Sequence, residues 1–198
     1  QDGTWEFGAL DTADELHDAL LTLGMLPDRD IVRWAAAEGL PGWFRSLAGQ
    51  GRAVRARYSG DRVAWVATEC VPLFSAAFPD AIFDRMPETL AAQGEPPTQD
   101  DAELTLLRGR VESVGPFTVD ELSRSLGMRK GTVEIALANM EATGGVLRGR
   151  FTPGRDLEEL CDRRILARIH RQTIARLRRE VEPVSAAIYL RFLLDWQH

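Results

Sequence analysis

The residues best equipped to do chemistry in this 198-residue chain are its arginines. Arg163, Arg164, Arg168, Arg171, Arg176, Arg178 and Arg179 follow one another with no acid between them. Arg164, Arg168, Arg171 and Arg178 recur at helical spacing and would line one stripe of a helix. A guanidinium binds phosphate in bidentate fashion, so such a stripe can follow a nucleic-acid backbone. It can equally be a solvated surface, or be neutralised by acids elsewhere in the chain. A second group, Arg52, Arg55, Arg57 and Arg62, flanks the turn Ser59-Gly60-Asp61, where a hairpin tip would touch backbone phosphates or simply stay solvated.

Other chemistries find less support. No G-x-x-x-x-G-K-[ST] loop is present, and the single lysine, Lys130, lies in Met128-Arg129-Lys130-Gly131-Thr132 without the preceding glycines. With no backbone cradle for phosphates, ATP hydrolysis is not expected in this chain, and no cofactor is expected for it. Cys70 and Cys161 form no C-x-x-C pair, and His17, His170 and His198 keep no ligand spacing. Neither a disulfide nor a metal site is expected, a reducing cytoplasm fits, and each histidine reads as a surface residue. Glu69, Asp162 or Asp195 could activate water, but each serves as well as a helix cap or ion-pair partner, so no catalytic residue is assigned. Trp5, Trp34, Trp43, Trp65 and Trp196 could stack on bases, although most read as core.

The overall charge is −6, which by itself argues against a nucleic-acid partner. Its distribution is uneven. Residues 1–103 hold 18 acids against 8 bases, and residues 104–198 hold 12 acids against 16 bases. No apolar run is long enough to suggest a membrane span, and Gln1 to Asp14 carries acids where a signal peptide carries bases. The start at Gln1 and the stop just after the apolar run from Leu190 suggest a piece of a larger protein.

The elements that would position these arginines follow from periodicity and caps. Thr12 and Glu15 have capping-box spacing before a helix to Leu23, which Gly24 and Pro27 end. Further helices are expected over Asp30–Ala37 and Trp43–Ala48. Val54, Ala56 and Tyr58 then alternate with Arg55 and Arg57 before a return strand over Val63–Val66, the pattern of a hairpin. Three short helices and a hairpin are the order of a winged helix. Leu73 to Leu90 reads as mostly helical, broken by Pro79 and Pro87, and residues 93–103 as a Pro-rich linker. Leu104–Val114 is expected to be helical. Thr118 and Glu121 cap a short helix, Gly127 turns the chain, and Thr132–Ala142 carries Val133, Ala136, Leu137 and Met140 on one face. A wing strand over Val146–Phe151 completes a helix-turn-helix with a wing. A long helix is expected over Asp156–Glu182 with Leu157, Cys161, Ile165, Ile169 and Leu177 inward, and Ser185 caps a last one. The expected fold is therefore mainly α: a winged-helix-like unit over 1–92, the linker, a winged helix over 104–155, and additional C-terminal helices over 156–198. The helix over 130–142 offers only Asn139 for reading bases against Glu134 and Glu141, so sequence-specific recognition by it is not expected.

Leu160-Cys161-Asp162-Arg163-Arg164-Ile165-Leu166-Ala167-Arg168-Ile169-His170-Arg171 resembles a stretch of the C-terminal region of the large helicase-related (Lhr) proteins. So do Arg176 to Ala187 and Arg191 to His198, and, more loosely, Glu15 to Leu26 and Trp65 to Glu69. One departure is Ile188, where an acid would complete the cap begun by Ser185. The resemblance implies a module of an ATP-dependent DNA helicase with repair roles, whose motor domains, with their ATP and magnesium, lie outside this chain. It implies nucleic acid as a partner, DNA ahead of RNA, together with the motor domains and, as a further candidate, a second copy of the chain. The same region of that family is similar to DNA glycosylases, so two alternatives stay open: a base-excision module needing residues beyond His198, and a purely structural oligomerisation module.

Overall fold

The computed structural model describes residues 10–34, 39–86, 96–180 and 185–197. The chain is mainly helical with two small antiparallel sheets, and it divides into two compact units, Gln1–Ile165 and Leu166–His198.

The first unit opens with α1 (Ala13–Leu23). Thr12 Oγ1 accepts the Glu15 amide at 3.2 Å, while the Glu15 carboxylate takes the amide of Asp11 at 2.7 Å, one residue upstream of the cap. Then come β1 (Leu26–Pro27), α2 (Asp28–Trp34), α3 (Leu40–Gly49), β2 (Ala53–Tyr58) and β3 (Arg62–Ala67). A short α4 (Val71–Ala77) leads to β4 (Ile82–Phe83), and the sheet order is β1-β3-β2-β4. The expectation of helix over Leu73–Leu90 is corrected here. The helix ends before Pro79, and Ile82 and Phe83 instead pair with Arg57 and Ala56. Residues 87–90 of that stretch, like 35–37 of the second expected helix, lie outside the described residues.

The second half of this unit repeats the order. It has α5 (Gln99–Val111), an extended residue Phe117 bridging Leu160, α6 (Val119–Leu126), α7 (Lys130–Ala142), β5 (Val146–Gly149) and β6 (Glu159–Asp162). In both halves a short extended segment after the first helix pairs antiparallel with the second strand of the hairpin: Leu26 with Trp65, Phe117 with Leu160. The Thr118–Glu121 capping box forms with both reciprocal bonds, and Gly127, at φ 68°, closes α6 in the left-handed region that favours glycine. α5 starts earlier than Leu104, because Thr98 caps it by accepting the Asp101 amide.

A second correction concerns Asp156–Glu182, which is not one helix. Glu159–Asp162 is a buried strand on β5, and α8 (Arg163–Glu180) begins only after it. The acids explain the break. The wholly buried carboxylate of Glu159 accepts the amides of Phe151 and Thr152 and the Thr152 hydroxyl, closing the β5–β6 loop. Asp162 Oδ1 accepts the amides of Arg164 and Ile165 and so caps α8. Of the residues expected inward, Cys161 and Ile165 are buried, whereas Leu157 and Leu177 are about half exposed at 51% and 52%.

The four-stranded sheet has a core on each face. Ala53, Trp65 and Ala67 meet Leu16, Leu20, Leu23, Leu40 and Phe44 of α1 and α3, with Phe44 stacked on Trp65 at a ring separation of 4.1 Å. Val54, Ala56, Tyr58 and Val66 on the other face share a second core with Phe74 and with Leu106, Leu107, Val111, Leu122 and Leu126 of the second half. α5 also approaches α1 closely: a Cβ on Gly109 would lie 2.9 Å from the Thr22 carbonyl oxygen. A buried ion pair of 2.8 Å joins Arg110 of α5 to Asp30 of α2, and Ser125 of α6 hydrogen-bonds the same carboxylate. Burying this pair is tolerable only because its partners are supplied from both halves.

The second unit holds the remainder of α8 and α9 (Ala186–Trp196). Ser185 Oγ accepts the Ile188 amide at 3.4 Å, so the cap forms without the missing acid. Phe192 and Trp196 meet edge to face, and no residue of α9 is buried.

Candidate nucleic-acid interface

The arginines divide by whether they already have partners. In β2 the alternation places Arg55 and Arg57 outward and Val54, Ala56 and Tyr58 inward. Arg57 is exposed and has no ion pair among the described residues. Arg55 is half exposed, with Asp28 Oδ2 at 3.6 Å, and its amide donates to Asp84 Oδ1 at 3.0 Å. Arg62 is engaged: its Nη1 donates to the Arg124 carbonyl oxygen at 2.7 Å, beside Arg29, whose Nη1 donates to the same oxygen at 2.9 Å. Two guanidiniums thus cap the negative C-terminal end of α6. Ser59 Oγ adds a bond to the Gly127 carbonyl oxygen, so the β2–β3 turn sits on the α6–α7 turn. A Cβ on Gly127 would lie 2.8 Å from the Arg62 side chain, which would have to shift to admit it.

On α8, Arg164 is exposed with Glu112 Oε1 at 3.7 Å. Arg168, Arg171 and Arg178 are exposed and have no ion pair among the described residues. Their spacing along a single described helix matches the stripe expected from the sequence. Arg52 turns out to be structural. Its Nη1 donates to Asp14 at 2.6 Å and its Nη2 lies 3.1 Å from His17 Nδ1.

His17 corrects a sequence reading: it is 5% exposed, not a surface residue. Its Nε2 lies 3.3 Å from Glu69 Oε2. Since Arg52 can only donate, Nδ1 accepts and the ring proton belongs on Nε2, facing Glu69. Glu69, half exposed at its side chain, is therefore a hydrogen-bond acceptor for His17, and Asp162 a helix cap. Asp195 is exposed on α9. The nearby Cys70 thiol is pushed up to about 11 by burial, then by the Glu69 charge, so it stays protonated near neutral pH. Among the described residues no group of three His, Cys, Asp or Glu side chains is placed to hold a metal ion, and no helix is long and apolar enough to cross a membrane.

One surface was not legible beforehand. α3 turns Phe44 and Leu47 into the core and leaves Pro41, Gly42, Arg45, Ser46 and Gly49 exposed. Arg45 has no ion pair among the described residues. The equivalent helix of the repeat, α7, exposes Glu134, Ile135, Ala138 and Asn139. Its Lys130 is held by Asp120 at 2.8 Å, and Arg148 of β5 is clamped between Glu141 and Glu158.

No family model matches the chain. It is 29% identical over 186 residues, 94% of its length, to a Mycolicibacterium smegmatis protein described as "Lhr helicase/ probable uracil glycosylase". The match spans 12% of that protein's length. Over nearly all of its length the chain is thus similar to part of an Lhr helicase.

Proposed function

We propose that this chain is an accessory nucleic-acid-binding module of an Lhr-like ATP-dependent helicase acting in DNA repair, built as tandem winged-helix units. It holds the phosphate backbone without sequence specificity and docks with motor domains that supply ATP and magnesium chemistry. The observation that carries this reading is the set of exposed arginines with no ion pair among the described residues, Arg57, Arg168, Arg171 and Arg178, in a chain similar to a helicase. Arg55 and Arg164 are each only 3.6–3.7 Å from a single carboxylate and can exchange it for a phosphate. Arg62, by contrast, acts from within, holding the turn that presents Arg57. The repeated order of helix, short strand, two helices and hairpin supports the winged-helix assignment.

The triple change Arg164→Glu, Arg168→Glu and Arg171→Glu tests the reading. It should weaken binding to DNA of any sequence and leave the melting temperature nearly unchanged. A lowered melting temperature with unaltered affinity would instead assign the stripe to internal neutralisation and favour the structural alternative.

A base-excision role is the second reading, favoured by the words "probable uracil glycosylase" in the relative's description. The partners of Glu69 and Asp162 favour structural work for both. Incubation with uracil-containing DNA should therefore leave no abasic sites. Their appearance, and their loss on Glu69→Gln, Asp162→Asn or Asp195→Asn, would establish the excision role.

A further inference from the structure

Two helices in this chain occupy the same place in the repeated order, and they differ in what they present to solvent. α7 offers a carboxylate, Glu134, next to Ile135, which is 68% exposed, and its one lysine is taken by Asp120. Brought against a duplex, Glu134 would face phosphates of like charge. The turn leading into α7 is moreover covered by Ser59 and Arg62. α3 offers the opposite. Its exposed row is Pro41, Gly42, Arg45, Ser46 and Gly49, with one cation and no carboxylate. A Cβ on Gly42 or Gly49 would meet nothing within 4 Å, so this side of the helix is open to close approach.

The sheet places further arginines beside α3. Phe44 of α3 stacks on Trp65, and Trp65 lies opposite Arg55 in the β2–β3 register. Directly opposed residues share a sheet face. Arg57, opposite Val63, is on that face too, about 7 Å farther toward the hairpin turn. Of the carboxylates nearby, Asp28 pairs with Arg55 and Asp84 accepts the Arg55 amide. Among the described residues, α3 and the outer half of β2 therefore form one surface with few acids: a narrow helix flanked by a basic strand.

We propose that this surface docks duplex DNA, with α3 lying in the major groove, Arg45 reaching a phosphate on the groove wall, and Arg55 and Arg57 resting on the adjoining backbone. The proposal rests on the nucleic-acid reading above and names the half of the chain that performs it. The B-form major groove is about 12 Å wide and admits a helix, whereas that of A-form RNA is too narrow. The small residues along α3 explain why such docking would carry little base readout.

Matched substitutions in the full chain provide the test, read by fluorescence anisotropy with a labelled duplex DNA of arbitrary sequence. Arg45→Ala should weaken binding about eightfold at 0.1 M salt, the factor that a lost slope of about 0.9 per phosphate implies. Gly42→Trp, which fills the open side of α3, should weaken it at least tenfold. The counterparts on α7, Arg129→Ala and Gly131→Trp, should stay within twofold, since a Cβ on Gly131 also meets nothing within 4 Å. Circular dichroism checks that all four fold. Unchanged binding in both α3 variants while Arg57→Glu still weakens it would overturn the α3 assignment and leave the phosphate-binding reading standing. Equal losses from the α3 and α7 variants, or tighter binding to the same sequence as duplex RNA, would also overturn it. A parent chain that binds no nucleic acid would sink both readings.

Discussion

In the first half of the larger unit, the hairpin strand β2 carries Arg55 and Arg57 outward, and α3 beside it has no acid on its open side. In the second half, the corresponding hairpin is closed upon itself. Arg148 is clamped by Glu141 and Glu158, Arg150 pairs with Asp156, and Arg155 bridges Glu121 and Glu159. One order of elements thus serves two purposes. The first copy leaves Arg45 and Arg57 without ion pairs among the described residues, and the second engages Arg148, Arg150 and Arg155 in holding its own loop. The contrast also bears on the net charge of −6: for binding an anion, what matters is which cations lack counterions, not their sum.

The comparison breaks if the halves fold independently. The Asp30–Arg110 pair is buried on both sides and is shared between them. Asp30→Ala would leave a buried guanidinium without its carboxylate and should cost about 3–5 kcal/mol. Urea denaturation followed by tryptophan fluorescence and by circular dichroism should give one coincident transition, shifted to lower urea. Two separate transitions in the parent chain would show two autonomous domains.

Leu106→Ala tests the same coupling through apolar contact. Leu106 is 1% exposed, and its core includes Met25, Tyr58 and Phe74 of the first half. Truncation should cost about 2–5 kcal/mol. The loss should be seen equally by Trp65, which sits in the core on the opposite sheet face. A Trp65 signal that keeps the parent midpoint would mean that the two cores melt apart.

Tyr58 sharpens the picture with a smaller effect. Its hydroxyl is buried with no hydrogen-bond partner among the described residues, and burial pushes its pKa up to about 12. The folded value lies above the ordinary 10.0, so the neutral phenol is favoured in the native state. That contribution is full below pH 10 and is lost as pH rises toward 12, by at most roughly 2–3 kcal/mol. Tyr58→Phe should be neutral or slightly stabilising at pH 7, since it removes an unpaired polar atom. It should also flatten the alkaline loss of stability. An unchanged alkaline profile would show that Tyr58 ionises in contact with water.

These contrasts were only partly legible in the sequence. Thr118 and Glu121, Gly127, and the alternation around Ser59-Gly60 act on their immediate neighbours, so spacing alone located α6, its end and the β2–β3 hairpin. β1, β4 and β6 were missed because a strand of two to four residues exists only through its partner. Helical spacing ran through Cys161 unopposed, since nothing local shows that Leu147 lies across from it. His17 looked exposed for a similar reason: Arg52 and Glu69, which bury and orient it, are 35 and 52 residues away. Arg55, Arg57 and the α8 stripe were visible as runs of cations, whereas Arg45 stood alone between Phe44 and Ser46. It gained meaning only when Phe44 was found stacked on Trp65 beside the β2 arginines.

The central claim is that unpaired arginines, rather than arginine content, hold nucleic acid, and the salt dependence of binding tests it most directly. The slope of log affinity against log salt should be measured on one DNA duplex for the parent chain, Arg57→Ala and Arg148→Ala. The account predicts that Arg57→Ala lowers the slope by about 0.9, the value for one phosphate contact. Arg148→Ala, whose guanidinium is already held by Glu141 and Glu158, should leave the slope unchanged. Equal slopes for Arg57→Ala and the parent, or an equal fall for both variants, would contradict it.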